Sequence, residues 1–244
     1  MNRFFVDKAQ IGIQEIRITN PDDVCHLTRS LRVKEGEKVY ITDGEGRACV
    51  AQVVAILKAE IILKIAKTVK ACLRCEQKIT FSLACAVPKF AKFDEIVDKC
   101  TQLGVDEIIP LLTERVLVKT DFFSKKEERF KRVMMSAAKQ SGTLFLPRIR
   151  KPVFFDDFVK NLNGYDLRLL PNLDTTTLSL KEAVSGFKGG RILIMIGPEG
   201  DFTSREIALA FSQGCQGISL GGSVLRVDTA AIAVLSYLRL FFEL

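Results

Sequence analysis

Two short glycine loops near the C-terminal end carry the residue types that can do chemistry. The first is Ile196-Gly197-Pro198-Glu199-Gly200-Asp201-Phe202. The second runs Leu220-Gly221-Gly222-Ser223-Val224-Leu225-Arg226-Val227-Asp228-Thr229-Ala230. Each follows a short apolar run, 192–196 and 218–220, and each leads into a helical pattern. Two strand–loop–helix units this close in sequence can bring their loops to one edge of a sheet, where open α/β sheets bind ligands. The spacing is not that of a phosphate cradle, since neither GxxxxGKS/T nor GxGxxG occurs. An acidic residue inside the first loop argues further against an anionic ligand there. The expected pocket takes something small, partly apolar and not polyphosphorylated.

The single histidine, His26, removes other chemistries. A Ser-His-Asp hydrolase would have to use it, and no GxSxG elbow is present. Histidine-rich metal sites are impossible, so a general base is expected to be a carboxylate or solvent. Seven cysteines, an odd number, are scattered without a disulfide framework. Cys72-Leu73-Arg74-Cys75 is formally CxxC, but no second CxxC or His pair completes a zinc site. No metal is expected, and the cysteines read as ordinary reduced thiols.

Charge is the second signal. The formal net charge is +7, and between Arg115 and Lys151 eleven Lys/Arg face three acids. That segment alone outweighs the surplus of the whole chain, which suits a polyanionic partner, nucleic acid first. A solvated helix face accounts for part of it, although a face needing only solubility mixes its signs more evenly. No apolar run approaches the roughly 20 residues of a membrane span. Met1 to Asp7 lacks the long apolar stretch of a signal peptide, so a cytoplasmic location is expected.

The elements that must position the loops follow from periodicity. Residues 1 to about 70 are mostly β: runs at 3–6, 15–18, 38–41, 48–57 and 61–66 are β-branched and apolar, with Asp43-Gly44-Glu45-Gly46 as a turn. One helix interrupts them, capped by Asn20, with Pro21 at its first position and a pattern reaching Arg32. Short strands separated by turns point to a small barrel. Beyond a basic stretch at 67–78, strands at 79–87, 107–112, 167–170, 191–196 and 217–220 alternate with helical stripes at 89–103, 125–141, 203–213 and 227–240. A weaker helix lies between the third and fourth of these strands. Thr203 with Glu206 has capping-box spacing. The alternation predicts an α/β domain with a mainly parallel sheet, and boundaries of 1–72 and 73–244.

With these residues in view, the chain resembles the RsmE family of SPOUT methyltransferases, which modify N3 of one uridine in small-subunit (16S) ribosomal RNA. The resemblance covers nearly the whole length. It rests on Arg3-Phe4-Phe5-Val6, His26-Leu27, Leu31-Arg32, Gly36, Asp43-Gly44-Glu45-Gly46, Lys99 to Gly104, Pro110-Leu111, Glu114-Arg115 and Gln140-Ser141-Gly142 with Pro147. It is strongest at Gly197-Pro198-Glu199-Gly200, Glu206-Ile207, Leu220-Gly221, Leu225-Arg226 and Thr229-Ala230-Ala231. The chain departs from the family pattern in four places. Asp201 replaces a second glycine, Lys139 a Glu and Thr143 a frequent Arg, and Val227-Asp228 stands within a motif that commonly reads LRTETA.

The resemblance implies a PUA-like barrel followed by a domain with a deep trefoil knot, in a homodimer. It implies S-adenosyl-L-methionine as cofactor, held by Leu170 and Pro171, by Ile196, Gly197, Glu199 and Gly200, and by Leu220, Gly221, Leu225, Thr229 and Ala230. N3 of uridine is a poor nucleophile until its proton leaves. A cation near the uracil oxygens is therefore needed, and Arg226 is the candidate. Asp228 or Glu199 is the candidate proton acceptor. Arg3, Arg29, Arg32, Arg115, Lys125, Lys126, Arg132 and Arg148 are the residues expected to hold the ribosomal RNA backbone. Two other readings stay open: a related enzyme acting on ribose 2′-hydroxyls, and an RNA-binding homologue with weakened catalysis.

Overall fold

The computed structural model describes residues 3–6, 11, 14–69, 78–88, 92–116, 123, 126–172 and 178–243, with His26 by its backbone only. The Cys72-Leu73-Arg74-Cys75 stretch lies outside the described residues, as does Lys125. The chain forms two compact units, residues 1–76 with 138–146, and residues 77–137 with 147–244.

In the first unit, alternating apolar residues give strands β1 (Arg3–Phe5), β2 (Glu15–Ile18), β3 (Lys38–Thr42), β4 (Ala48–Ile56) and β5 (Ile61–Val69). They form one curled sheet in the order β1-β3-β4-β5-β2, whose path leaves β1 and β2 as its edges. Only the β1–β3 pair is parallel. Register shifts at Val50/Ala51 and Val53/Ala55 bend the β4–β5 pair, as bulges do. One face buries Phe4, Ile16, Ile18, Ile41, Ile61 and Leu63 in a single apolar cluster. Helix α1 (Pro21–Cys25) starts where Asn20 Oδ1 accepts the Asp22 N–H at 2.9 Å. The sequence pattern extends this helix to Arg32, but it widens into a π-helical turn over His26–Ser30. Arg32 then stands at a left-handed φ of 50°. The Thr28 hydroxyl donates to the Val24 carbonyl at 2.7 Å, competing with the helical ladder.

Segment 138–146 belongs to this unit although it lies well inside the stretch read as the C-terminal domain. Arg3 Nη1 donates to the Gly142 carbonyl. Lys139 pairs with Asp23 at 3.0 Å, and the Leu146 N–H donates to the Gly44 carbonyl at 2.9 Å. Gly142 has φ +79°, a left-handed conformation that strains other residues, and a Cβ there would lie 2.5 Å from Arg3 Nη1 and displace that side chain.

The second unit comprises β6 (Ile79–Ala86), α2 (Lys92–Gln102), β7 (Glu107–Leu112), α3 (Glu127–Ser141, its last turn counted with the first unit), β8 (Arg148–Ile149), β9 (Val153–Phe154) and α4 (Phe155–Val159). It continues with β10 (Leu167–Pro171), β11 (Leu178–Ser179), α5 (Leu180–Val184), β12 (Gly190–Ile196), α6 (Ser204–Ser212), β13 (Gln216–Ser219) and α7 (Val227–Phe241). The sheet runs β11-β13-β10-β12-β6-β7-β8, with β9 also on β7, and its pairings are parallel. Strands β6 and β12 are almost continuously buried, as expected where helices cover both faces. This is the expected class: a mainly parallel α/β sheet preceded by a small PUA-like unit. The two-residue strands and the one-turn helices α4 and α5 are too short to carry a period, and of these the sequence pattern marked only a weak helix at α5.

Candidate active site

Strands β12 and β13 are consecutive along the chain but lie on opposite sides of β10 in the sheet. The loops leaving them therefore converge over the C-terminal end of β10, a switch point of the kind where α/β sheets bind ligands. A cavity of about 410 Å³ opens there. Ile196, Leu220, Leu225, Val227 and Ala230 give it apolar walls, while Glu199 and Arg226 line it as exposed charges.

Local chemistry fixes the first loop. The Gly200 and Asp201 N–H groups both donate to the Pro198 carbonyl, at 2.8 and 2.9 Å. A Cβ on Gly197 would sit 3.0 Å from Asp201 Oδ1 and 3.1 Å from the Phe202 ring and backbone N, so a side chain there would push the turn's own residues aside. Asp201 adopts φ 63°, a left-handed position that glycine favours. Its own Oδ1 accepts the Phe202 N–H at 2.7 Å, which is how an aspartate tolerates the place of the family's second glycine. Phe202 is buried against Phe155, ring centroids 5.0 Å apart. Thr203 and Glu206 form the capping box of α6. Arg115 donates to the Gly200 carbonyl, and to that of Asp201 at 3.2 Å.

The second loop turns at Gly221, φ +107°, with its N–H on Ser219 Oγ at 3.2 Å. Arg226 then takes the N-cap position of α7 with extended backbone, and its side chain makes no cap hydrogen bond. Part of the lining comes from the end of β10. Asn172 is anchored by its backbone N–H on the Ile218 carbonyl at 3.2 Å and is 8% exposed. Among the described residues, neither polar atom of its side-chain amide has a partner.

Of the residues expected to hold a cofactor, Pro171, Ile196, Gly197, Glu199, Gly200, Leu220, Gly221, Leu225 and Ala230 line the cavity. Leu170 is buried within the sheet and Thr229 is exposed, and neither is among the lining residues. The proposed catalytic groups separate in the same way. Arg226 and Glu199 line the cavity, whereas Asp228 does not. Asp228 Oδ1 is buried without a hydrogen-bond partner among the described residues. Its charge is felt by Cys85, whose thiol is pushed well up by burial first, then by Cys100 and Asp228. Asn172, Pro198, Asp201, Ser223, Val224 and Val227 complete the lining. Asp201 was visible inside its loop, but no motif marks Asn172 apart from its place directly after Leu170-Pro171.

The basic residues also divide. Arg29, Arg32, Arg132 and Arg148 are exposed, and Lys126 is half-buried. Arg3 is committed to Gly142 and lies over the Tyr40 ring at 4.9 Å, and Arg115 is committed to the first glycine loop. Within the basic segment, Arg129 pairs with Asp94, Lys131 with Glu127 and Glu128, Lys139 with Asp23 and Arg150 with Glu107. Part of the surplus is thus neutralised inside the fold.

The chain falls in the class of RNA methyltransferases. The family model described as an RNA methyltransferase domain matches residues 75–239, and that of an RNA methyltransferase PUA domain matches residues 18–66. The chain is 34% identical to Ribosomal RNA small subunit methyltransferase E of Synechocystis, over 99% of this chain and 78% of that protein. It is 30% identical to the protein of the same name from Rickettsia conorii, over 98% and 95% of the two chains. Among solved structures, a Legionella pneumophila protein assigned as a methyltransferase, in complex with the bound cofactor SAM, superimposes with a TM-score of 0.85 at 28% identity. That match covers 98% of this chain and 97% of the other. The chain belongs to the ribosomal RNA small subunit methyltransferase E family.

Proposed function

We propose that this protein transfers the methyl group of S-adenosyl-L-methionine to N3 of a uridine in small-subunit (16S) ribosomal RNA. The observation that carries the reading is the cavity built by the two glycine loops at the end of β10, in a chain whose near-full-length relatives are named for that RNA. Its volume of about 410 Å³ lies in the range of small-molecule sites. Its apolar walls and tight glycine turns suit a nucleoside without phosphates. Ile196, Leu220 and Leu225 would hold the donor between the loops, with Gly197, Gly200 and Gly221 letting backbone approach closely. When bound, the donor supplies an electrophilic methyl group on a sulfonium.

The chain itself must bring the acceptor nitrogen to that methyl and stabilise its anion. Arg226 holds a permanent positive charge at the cavity, where it can meet the uracil oxygens as N3 loses its proton. Glu199 is the carboxylate available there to accept that proton, directly or through water. Asp228 serves the first turn of α7 instead, where the helix dipole favours an acid.

The PUA-like unit, with Arg29 and Arg32 exposed on it, would hold RNA backbone, and Arg132 and Arg148 would do so on the second unit. Such contacts position the RNA without reading its sequence. The target uridine has to leave its stack to reach the pocket. The reading includes the family's trefoil knot, a cytoplasmic location, and a homodimer for which exposed Leu240 and Phe241 on α7 offer apolar surface. The test is incubation with labelled S-adenosylmethionine and small ribosomal subunits lacking the modification, followed by digestion of the RNA. Labelled 3-methyluridine is expected; label on a ribose would overturn the acceptor.

A further inference from the structure

We infer that the side chain of Asn172 reads the hydrogen-bonding edge of the donor's adenine, making it a specificity-determining residue of the cavity; this rests on the donor reading above. Asn172 lines the cavity, is only 8% exposed, and among the described residues neither Oδ1 nor Nδ2 has a partner. A buried amide left unpaired is costly, so native structures rarely keep one without a use. Among the described residues, the other buried side-chain atoms without a hydrogen bond belong to Asp43, Thr113, Asp228 and Asp94, the last of which is ion-paired with Arg129, and none of these lines the cavity.

The position selects the ligand edge. Asn172 lies directly after β10, buried at the edge of the cavity, with its backbone pinned to Ile218. The formal charges on the lining are Glu199, Asp201 and Arg226, all on the two glycine loops, and Glu199 and Arg226 are exposed. A charged amino-acid tail therefore finds its partners on the loops. A flat, neutral base finds apolar walls and, at Asn172, one donor beside one acceptor. An amide matches adenine in this way: its oxygen accepts from the 6-amino group while its NH₂ donates to a neighbouring ring nitrogen.

The test is a double-mutant cycle read by calorimetric binding. S-adenosylhomocysteine and its analogue with hydrogen in place of the 6-amino group are titrated into the full-length protein and into Asn172→Leu. In the unsubstituted protein the analogue should bind roughly tenfold more weakly, the effect of one lost buried hydrogen bond. In Asn172→Leu the two ligands should bind within about twofold of each other, because the coupled partner is gone. The apo melting temperature of Asn172→Leu should not fall, since an unsatisfied polar group has been replaced by an apolar one of similar shape. Asn172→Ala provides a second variant if the leucine overpacks. An equal penalty for the missing amino group in all proteins overturns the assignment and leaves the donor reading standing. Failure of the unsubstituted protein to bind either ligand overturns both.

Discussion

The carboxylate of Glu206 accepts the backbone N–H of Glu114 at 2.9 Å, so a side chain on α6 holds the loop that follows β7. Its second oxygen takes the Thr203 N–H at 2.8 Å and closes the helix cap. Glu206 is 1% exposed, and removing it strands both donors. Glu206→Ala should destabilise the protein by about 2–4 kcal/mol in urea unfolding, combining a lost cap with two unpaired backbone groups.

Arg115 lies in that loop and donates to the carbonyls of Gly200 and Asp201. Arg115→Ala should therefore weaken donor binding roughly three- to tenfold by loosening the first glycine loop. RNA affinity should keep its salt dependence. A phosphate contact would instead lower the slope of log K against log salt by about one unit. Titrations at several salt concentrations separate the two roles.

Arg226 makes no cap hydrogen bond with its side chain, although it stands at the N-cap of α7. Arg226→Ala should lower kcat by roughly 10²- to 10³-fold, as expected when a group that stabilises developing charge is removed. Donor affinity should change little, which marks an interaction made in the transition state. Single-turnover methyl transfer alongside equilibrium binding checks both halves.

Asp201 tests the backbone. At φ 63° an alanine pays the left-handed strain without the Oδ1 bond to Phe202, so Asp201→Ala should lose about 1–2 kcal/mol. Asp201→Gly relieves the strain but gives up the same bond, and should stay within about 1 kcal/mol of the parent. Chemical denaturation of the two variants measures the difference.

The thiols set an alkaline limit. Burial pushes Cys85 and Cys100 well up and Cys215 up to about 12, so all three stay protonated in the folded protein at neutral pH. Because the folded values lie above the unfolded one, their contribution is complete below about pH 8.5. It is lost progressively as pH rises toward the folded values. Exposed Cys25 should react with a thiol reagent in the native state, while these three react only on unfolding. Urea midpoints between pH 7 and 10, with mass mapping of labelled thiols, supply the check.

Much of this was legible in the chain. The capping box at Thr203, the cap at Asn20 and the stripe from Phe93 to Cys100 are local signals, and each is found in the structure. The helix that starts at Asn20, however, gives way to a π-turn after Cys25 instead of running to Arg32. The convergence of the two glycine loops was also readable, because each follows a strand. Strand order was not, since no local pattern says that β13 inserts between β11 and β10. Asn172 escaped for that reason: its role depends on which strands flank β10. The basic segment misled in part, because charge along the sequence does not reveal the acids that Arg129, Lys139 and Arg150 meet across the fold.

Arg3 on the first strand is held by Gly142, and Gly44 by Leu146. Protein synthesis delivers these partners in a fixed order, the N-terminal ones first. A nascent chain that has emerged only to residue 76 lacks the segment 138–146 that completes its unit. The N-terminal module therefore cannot finish folding as an early, independent step, and closes only after the ribosome has made much of the second unit's sequence. For the same reason, an expression fragment ending at the boundary suggested by sequence would leave Arg3, Asp23 and Gly44 without the groups they hold.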